Sequence, residues 1–150
     1  MCLKIVSATS SDRALFEPCL RRNGIYGLFD AFTQTNEVPR GKKFPDVYMK
    51  AAGKAGCSVN ECIVFEDVLS AAQGAKSGGF TVVAVYDEAS ADDWPDICRI
   101  ADYNIRSYSE LCDNGENMTK RYILFDLDGT ITDSSEGITK SVQHALRNLE

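Results

Sequence analysis

The sequence predicts an α/β protein organised on an open parallel sheet, and three observations carry that prediction. Short apolar runs recur and each closes on polar side chains: residues 3–8 before Thr9 and Ser10, residues 62–65 before Glu66 and Asp67, and residues 122–125 before Asp126. Between the runs lie stretches in which apolar and small residues recur at helical spacing. Gly129 and Thr130 close the third run in a tight loop, where glycine lets the backbone approach a ligand. Open α/β sheets place their ligands at the carboxyl ends of such strands, so the junctions are also the candidate functional positions.

The elements follow in order. Residues 3–8 read as a strand that ends in hydroxyls, with a helix capped by Ser11 or Asp12 behind it. A helix N-terminus just after a strand offers free N–H groups to an anion, which makes Thr9 and Ser10 candidate phosphate contacts. Pro18 should kink that helix or delay its regular part, and Gly24 should stop it. Lys42 and Lys43 then precede an amphipathic helix running to about Gly56, with Pro45 in its first turn and Val47, Tyr48, Ala51, Ala52 and Ala55 on one face.

Residues 62–65 repeat the strand-to-carboxylate pattern, with Glu66 and Asp67 at the junction and a small-residue helix over 69–77. Adjacent strand residues point to opposite faces, so only one of Glu66 and Asp67 need serve a given side. Gly78 and Gly79 end that helix, residues 80–86 form another buried strand, and 87–93 an acidic loop. A short helix within 92–101 should hold Trp94, Ile97 and Ile100 inward.

Residues 113–117 have linker composition, polar with Gly and Asn. In the run that follows, Asp126 and Asp128 stand at i and i+2 and can face one pocket. Two carboxylates at that range repel unless a proton or a metal lies between them. With Mg²⁺ present, one carboxylate can act as nucleophile while the other shuttles a proton. Residues 135–149 show a further helical pattern through Ile138, Val142, Ala145 and Leu149; His144, the one histidine, has no catalytic partner placed around it.

Composition narrows the function classes. A chain of 150 residues, 44% hydrophobic and 25% charged, suits one soluble domain with its own core. A net charge of -6, with Lys and Arg scattered, argues against a nucleic-acid partner. No apolar run approaches the ~20 residues of a membrane span, and residues 1–9 are too short for a signal peptide. The six cysteines, at positions 2, 19, 57, 62, 98 and 112, form no CxxC pair or Cys/His array. Three fall inside apolar runs as buried thiols do, and a reducing cytoplasm is the expected setting.

The string Asp126-Leu-Asp128-Gly129-Thr130-Ile-Thr-Asp133-Ser134 resembles motif one of the haloacid dehalogenase superfamily, the aspartyl-phosphate phosphatases and phosphomutases; residues 134–138 look like its phosphoglycolate phosphatases and residues 66–111 look closer to its sugar-phosphate phosphatases and β-phosphoglucomutases. The resemblance implies a doubly wound, Rossmann-like parallel sheet with a helical cap, most of which is missing here. It makes Asp126 the nucleophile and Asp128 the general acid and base. Thr9 matches the motif-two hydroxyl, with Ser7 as the fallback, and Lys42 matches the lysine of motif three through Lys-x-x-Pro-Asp. Glu66 and Asp67 resemble motif four, the acidic pair that holds Mg²⁺, with Asp67 the preferred ligand. The implied metal site is Asp126, Asp128, Asp67 and Glu66; the implied phosphate cradle is Thr9, Ser10, Lys42, Gly129 and Thr130. Residues 103–105 resemble the family's last short strand and residues 108–112 its last helical turn.

In this chain the motifs run two, three, four, one, and Met118 resembles the start of a separate protein of the family. Either the tail of one phosphatase is joined to the head of another, or the chain is a circular permutant opened within the cap. The expected organisation is a core over 1–112, a linker over 113–117, and a motif-one strand with the first cap helix over 118–150 that completes the core. The seven or so residues after Cys112 extend roughly 23 Å at ~3.3 Å each, enough to insert residues 122–125 in cis between the strands of motifs two and four. Swapping it into a second chain gives a homodimer instead. The implied activity is Mg²⁺-dependent hydrolysis of a small phosphorylated metabolite, a sugar phosphate or phosphoglycolate. The alternatives are an incomplete fusion without turnover, a phosphomutase and, of another class, a phospho-receiver module.

Overall fold

The computed structural model describes residues 3–113 and 122–127, where the apolar runs of the sequence become the inner strands among its strands and helices. In chain order they are β1 (Lys4–Thr9), α1 (Arg13–Arg22), β2 (Ala31–Gln34), α2 (Asp46–Ala55), β3 (Cys62–Glu66), α3 (Leu69–Ser77), β4 (Thr81–Val85), α4 (Trp94–Ile100), β5 (Tyr103–Ile105), α5 (Glu110–Asp113) and β6 (Tyr122–Phe125). Among the described residues, the sheet has six strands in the order β2-β1-β6-β3-β4-β5. Every pairing is parallel. Of the linker expected at 113–117, Asp113 instead ends α5; residues 114–117 and the helix expected over 135–149 lie outside the described residues.

Among the described residues, the last strand in sequence is central in space. β6 pairs with β1 in the register Ser7↔Phe125 and with β3 in the register Phe65↔Phe125. Its four residues are apolar or aromatic because both faces of the sheet are covered, which is the usual state of a parallel sheet. On one face Ile5, Phe65, Val83, Phe125 and Leu127 pack with Phe16 and Leu20 of α1 and with Tyr108. On the other, Val6, Val64, Leu124 and Val82 pack against α2, α3 and α4. Helices on both faces of one parallel sheet make this the doubly wound, Rossmann-like arrangement.

The helix over 46–55 keeps the predicted face. Val47, Tyr48, Ala51, Ala52 and Ala55 are all buried, and Gly56 ends the helix at φ 71°, in the left-handed region where glycine carries no penalty. One detail differs from the sequence reading. Asp12 occupies the cap position of α1 but its side chain makes no capping hydrogen bond. The Ser11 amide instead donates to Thr9 Oγ1 at 3.0 Å, so the turn is closed from the strand side. Ahead of β2, Tyr26–Leu28 form a tight helical turn. Tyr26 and Phe29 gather around Phe32 with ring centroids 5.1 Å apart.

Both edge strands are entered through an aspartate that clamps its inner neighbour. Asp30 donates its amide to the Ile5 carbonyl at 2.7 Å and accepts the Ile5 amide on Oδ2 at 2.8 Å. Asp102 repeats the pattern on Val82, at 2.9 and 2.8 Å. Each carboxylate thereby satisfies a strand-end N–H that the short edge strand leaves without a ladder partner. Among the described residues no helix is long and apolar enough to cross a membrane.

Candidate active site

The carboxyl ends of β6 and β3 bring two acids together. The Asp126 amide donates to the Phe65 carbonyl at 3.2 Å, carrying the ladder one residue past β6 and setting Asp126 beside Glu66. Side chains alternate along a strand, so both lie on the face of Leu124 and Val64, over α2 and α3. Glu66 is 0%, Asp67 4% and Asp126 5% exposed. Buried carboxylates this close require a compensating cation.

Lys42 supplies it. Its Nζ donates to Glu66 Oε1 at 2.7 Å and also to Asp126 Oδ1, so one ammonium bridges the two acids. The loop that carries Lys42 rests on α3 at glycine. A Cβ on Gly74 would fall 2.0 Å from the Lys42 carbonyl oxygen, and one on Gly78 would fall 2.7 Å from Pro45 Cβ. The loop can therefore reach the acids only because these two positions, one in α3 and one just after it, lack side chains. From the first turns of α2 the Tyr48 hydroxyl reaches Glu66 Oε1 at 2.7 Å, with the Ala71 carbonyl as a second acceptor at 3.3 Å.

Burial shapes the electrostatics. Complete burial pushes the Glu66 carboxyl up to about 8; Asp126 adds to the rise, while Lys42 and the Tyr48 hydroxyl oppose it. Burial alone would lower Lys42, but the charges of Glu66 and Asp126 outweigh it and hold the ammonium above its usual range. Tyr48 is raised well above an ordinary tyrosine by burial and by Glu66, so it stays a neutral donor.

One oxygen of each of Glu66, Asp67 and Asp126 lies within 4.8 Å of the others. Glu66 Oε2 is buried and, among the described residues, has no hydrogen-bond partner. An all-carboxylate donor set with an unsatisfied oxygen suits a hard divalent cation such as Mg²⁺. These residues fit that ion.

The structure thus gathers Lys42, Glu66, Asp67 and Asp126. Thr9 ends β1 and is fully buried, its Oγ1 accepting the Ser11 amide. Ser10 is exposed. Ser7, the alternative to Thr9, is buried in register with Phe32 and Phe125, and its Oγ has no hydrogen-bond partner among the described residues. Asp128, Gly129 and Thr130 lie outside the described residues. Two contributors were not singled out as site residues from the sequence, Tyr48 and Gly74. Tyr48 read as one more residue of an apolar helix face, and its polar tip among otherwise aliphatic positions was the available signal. Gly74 gave none, since a helical glycine declares its neighbour only in three dimensions.

Comparison with known proteins identifies a family. The model of the haloacid dehalogenase-like hydrolases matches residues 2–79. Protein SUPPRESSOR OF QUENCHING 1, chloroplastic, of Arabidopsis thaliana is 28% identical over 97% of this chain and 14% of its own length. Fructose-1-phosphate phosphatase YqaB of Escherichia coli is 32% identical over 51% of this chain and 41% of its own. Among solved structures, CbbY of Rhodobacter sphaeroides in complex with xylulose-(1,5)bisphosphate superposes with a TM-score of 0.65 at 22% identity, covering 72% of this chain and 48% of that one. The chain therefore spans less than half the length of each of these relatives.

Proposed function

The chain belongs to the haloacid dehalogenase-like hydrolase family, and from that premise we propose that it hydrolyses small phosphomonoesters of the sugar-phosphate or phosphoglycolate class through an aspartyl-phosphate on Asp126. The observation that carries this reading is the bridge of Lys42 between Asp126 and Glu66, with Asp67 in reach of both acids. A lysine in that place keeps Asp126 ionised as a nucleophile and presents positive charge where phosphoryl oxygens would gather.

In the first step an Asp126 carboxylate oxygen attacks phosphorus, the bond to the substrate alcohol breaks, and Asp128 gives the leaving oxygen its proton. In the second, Asp128 takes a proton from water as the water attacks phosphorus. Inorganic phosphate leaves and the Asp126 carboxylate is restored. Lys42 and the Thr9 hydroxyl neutralise charge on the transferring oxygens, joined by Ser10, Gly129 and Thr130 at the loops. Glu66, Asp67 and Asp126, with Asp128, would hold Mg²⁺, whose chemistry is to polarise the phosphate and offset the acids' repulsion.

The test is phosphate release from phosphoglycolate and a set of hexose and pentose phosphates, with Mg²⁺ or with chelator, for the parent chain and Asp126→Asn. The reading predicts release that needs Mg²⁺ and is absent in the variant. Release that survives in Asp126→Asn, or stable stoichiometric phosphorylation without turnover, would contradict it.

A further inference from the structure

At the opposite end of β3 from the acids, two cysteines face each other. Cys57 follows the glycine that ends α2, and its amide donates to the Ala52 carbonyl at 3.1 Å. Cys62 opens β3. The turn between them is tied by the pair Ser58 and Glu61: Glu61 Oε2 accepts the Ser58 amide at 3.0 Å and the Ser58 hydroxyl at 2.6 Å, and the Glu61 amide donates to the Ser58 carbonyl at 3.1 Å. A turn held this way presents the two side chains to each other at a fixed distance.

That distance is short. Sγ of Cys57 lies 3.0 Å from Sγ of Cys62, inside the roughly 3.5–4.0 Å of ordinary non-bonded contact between heavy atoms. The Cys57 thiol is also within reach of the Ala52 carbonyl and the Cys62 thiol of the Ser58 carbonyl, each at 3.3 Å. A disulfide needs sulfurs about 2.05 Å apart, so the bond forms with a movement of about 1 Å. Exposure separates the roles: Cys57 is half-buried and Cys62 fully buried.

We propose that Cys57 and Cys62 are a redox-modification site that closes to an intramolecular disulfide by exchange with a low-molecular-weight disulfide such as oxidised glutathione. The accessible Cys57 thiolate attacks one sulfur of the oxidant, forming a mixed disulfide and expelling one glutathione thiolate. Cys62 then attacks the Cys57 sulfur and expels the second glutathione. The two cysteines lose two protons and two electrons; the oxidant gains both electrons, and the protons pass to the departing thiolates. The closed bond ties the end of α2 to the start of β3, the same two elements that the Tyr48–Glu66 hydrogen bond joins at the acids. The inference stands apart from the phosphatase reading, since neither cysteine belongs to that site.

The test treats the folded full chain with oxidised glutathione and digests it without reduction. Both cysteines fall on one tryptic peptide, residues 55–76, and Glu61 lies between them for a glutamate-specific cut. The expected result is the loss of two titratable thiols per chain, a 55–76 peptide lighter by two hydrogens, halves that stay joined after cleavage at Glu61, and reversal by dithiothreitol. In Cys62→Ser the glutathione adduct should persist on Cys57. A persistent adduct on Cys57 in the parent chain, linkage of either residue to another cysteine, or an unchanged thiol count would overturn the proposal. The parent-chain digest decides the matter even if the variant fails to fold.

Discussion

The Tyr48 hydroxyl lies 2.7 Å from Glu66 Oε1, the same oxygen that accepts from Lys42, so a helix residue and a loop residue hold one buried carboxylate between them. Removing the hydroxyl without changing the ring isolates its part. Tyr48→Phe leaves the fully buried Glu66 with one donor fewer. The expected cost is about 1–3 kcal/mol of unfolding free energy, read from urea denaturation, with a weaker response to Mg²⁺.

Gly74 and Gly53 make a paired test of how the Lys42 loop is seated. Alanine in a helix interior normally stabilises over glycine by roughly 0.5–1 kcal/mol. At Gly53, exposed on α2 with open space around a new Cβ, Gly53→Ala should show that gain. At Gly74 the new Cβ would stand 2.0 Å from the Lys42 carbonyl, which is backbone and yields only if the loop moves. Gly74→Ala should therefore destabilise by about 1–3 kcal/mol and lower phosphate release, reversing the sign seen at Gly53.

Lys42 tests the charge balance among the acids. Lys42→Met removes the one cation that, among the described residues, bridges Glu66 and Asp126, and strands buried negative charge, at a cost of about 3–5 kcal/mol. A divalent cation that binds only the folded state restores stability by mass action. The melting temperature of Lys42→Met should thus rise more on adding Mg²⁺ than that of the parent. An equal rise in both chains would show that Lys42 and the ion act on different charges.

Asp102 sets an acid-side limit. Burial raises its carboxyl, but Lys76 at 2.8 Å and the Val82 amide at 2.8 Å outweigh that and hold it below the ordinary 3.8. A carboxyl whose folded pKa is depressed contributes stability above its unfolded value and loses it as pH falls through the folded one. Asp102→Asn should therefore be less stable than the parent at neutral pH, and the gap should shrink below about pH 3.8, followed by urea midpoints across an acid series.

The sheet and the strand ends were legible because their signals are local. Residues 62–66 and 122–125 are apolar runs that end in acids, and α2 shows its buried face at helical spacing. The neighbours across the sheet were not legible from any one element; the resemblance alone placed residues 122–125 between the strands of motifs two and four. That Glu66 and Asp126 stand side by side follows from β6 lying between β1 and β3, a matter of strand order. Alternation alone left open which of Glu66 and Asp67 meets the lysine. The structure puts Glu66 there, because it shares a face with Val64 and α2 approaches from that side. The turn over Tyr26–Leu28 was hidden for a similar reason. The Asp30 clamp on Ile5 and the rings around Phe32 are contacts between segments, with no trace in the composition of residues 25–32.

The most direct test of the central claim, that Asp126 is the phosphoryl acceptor of an assembled site, is a thermal melt of the full chain with Mg²⁺ and beryllium fluoride, an aspartyl-phosphate mimic, beside Asp126→Asn. Binding to the folded state alone raises the melting temperature. The account predicts a rise in the parent chain that is absent in Asp126→Asn. No rise in the parent, or an equal rise in both, would contradict it.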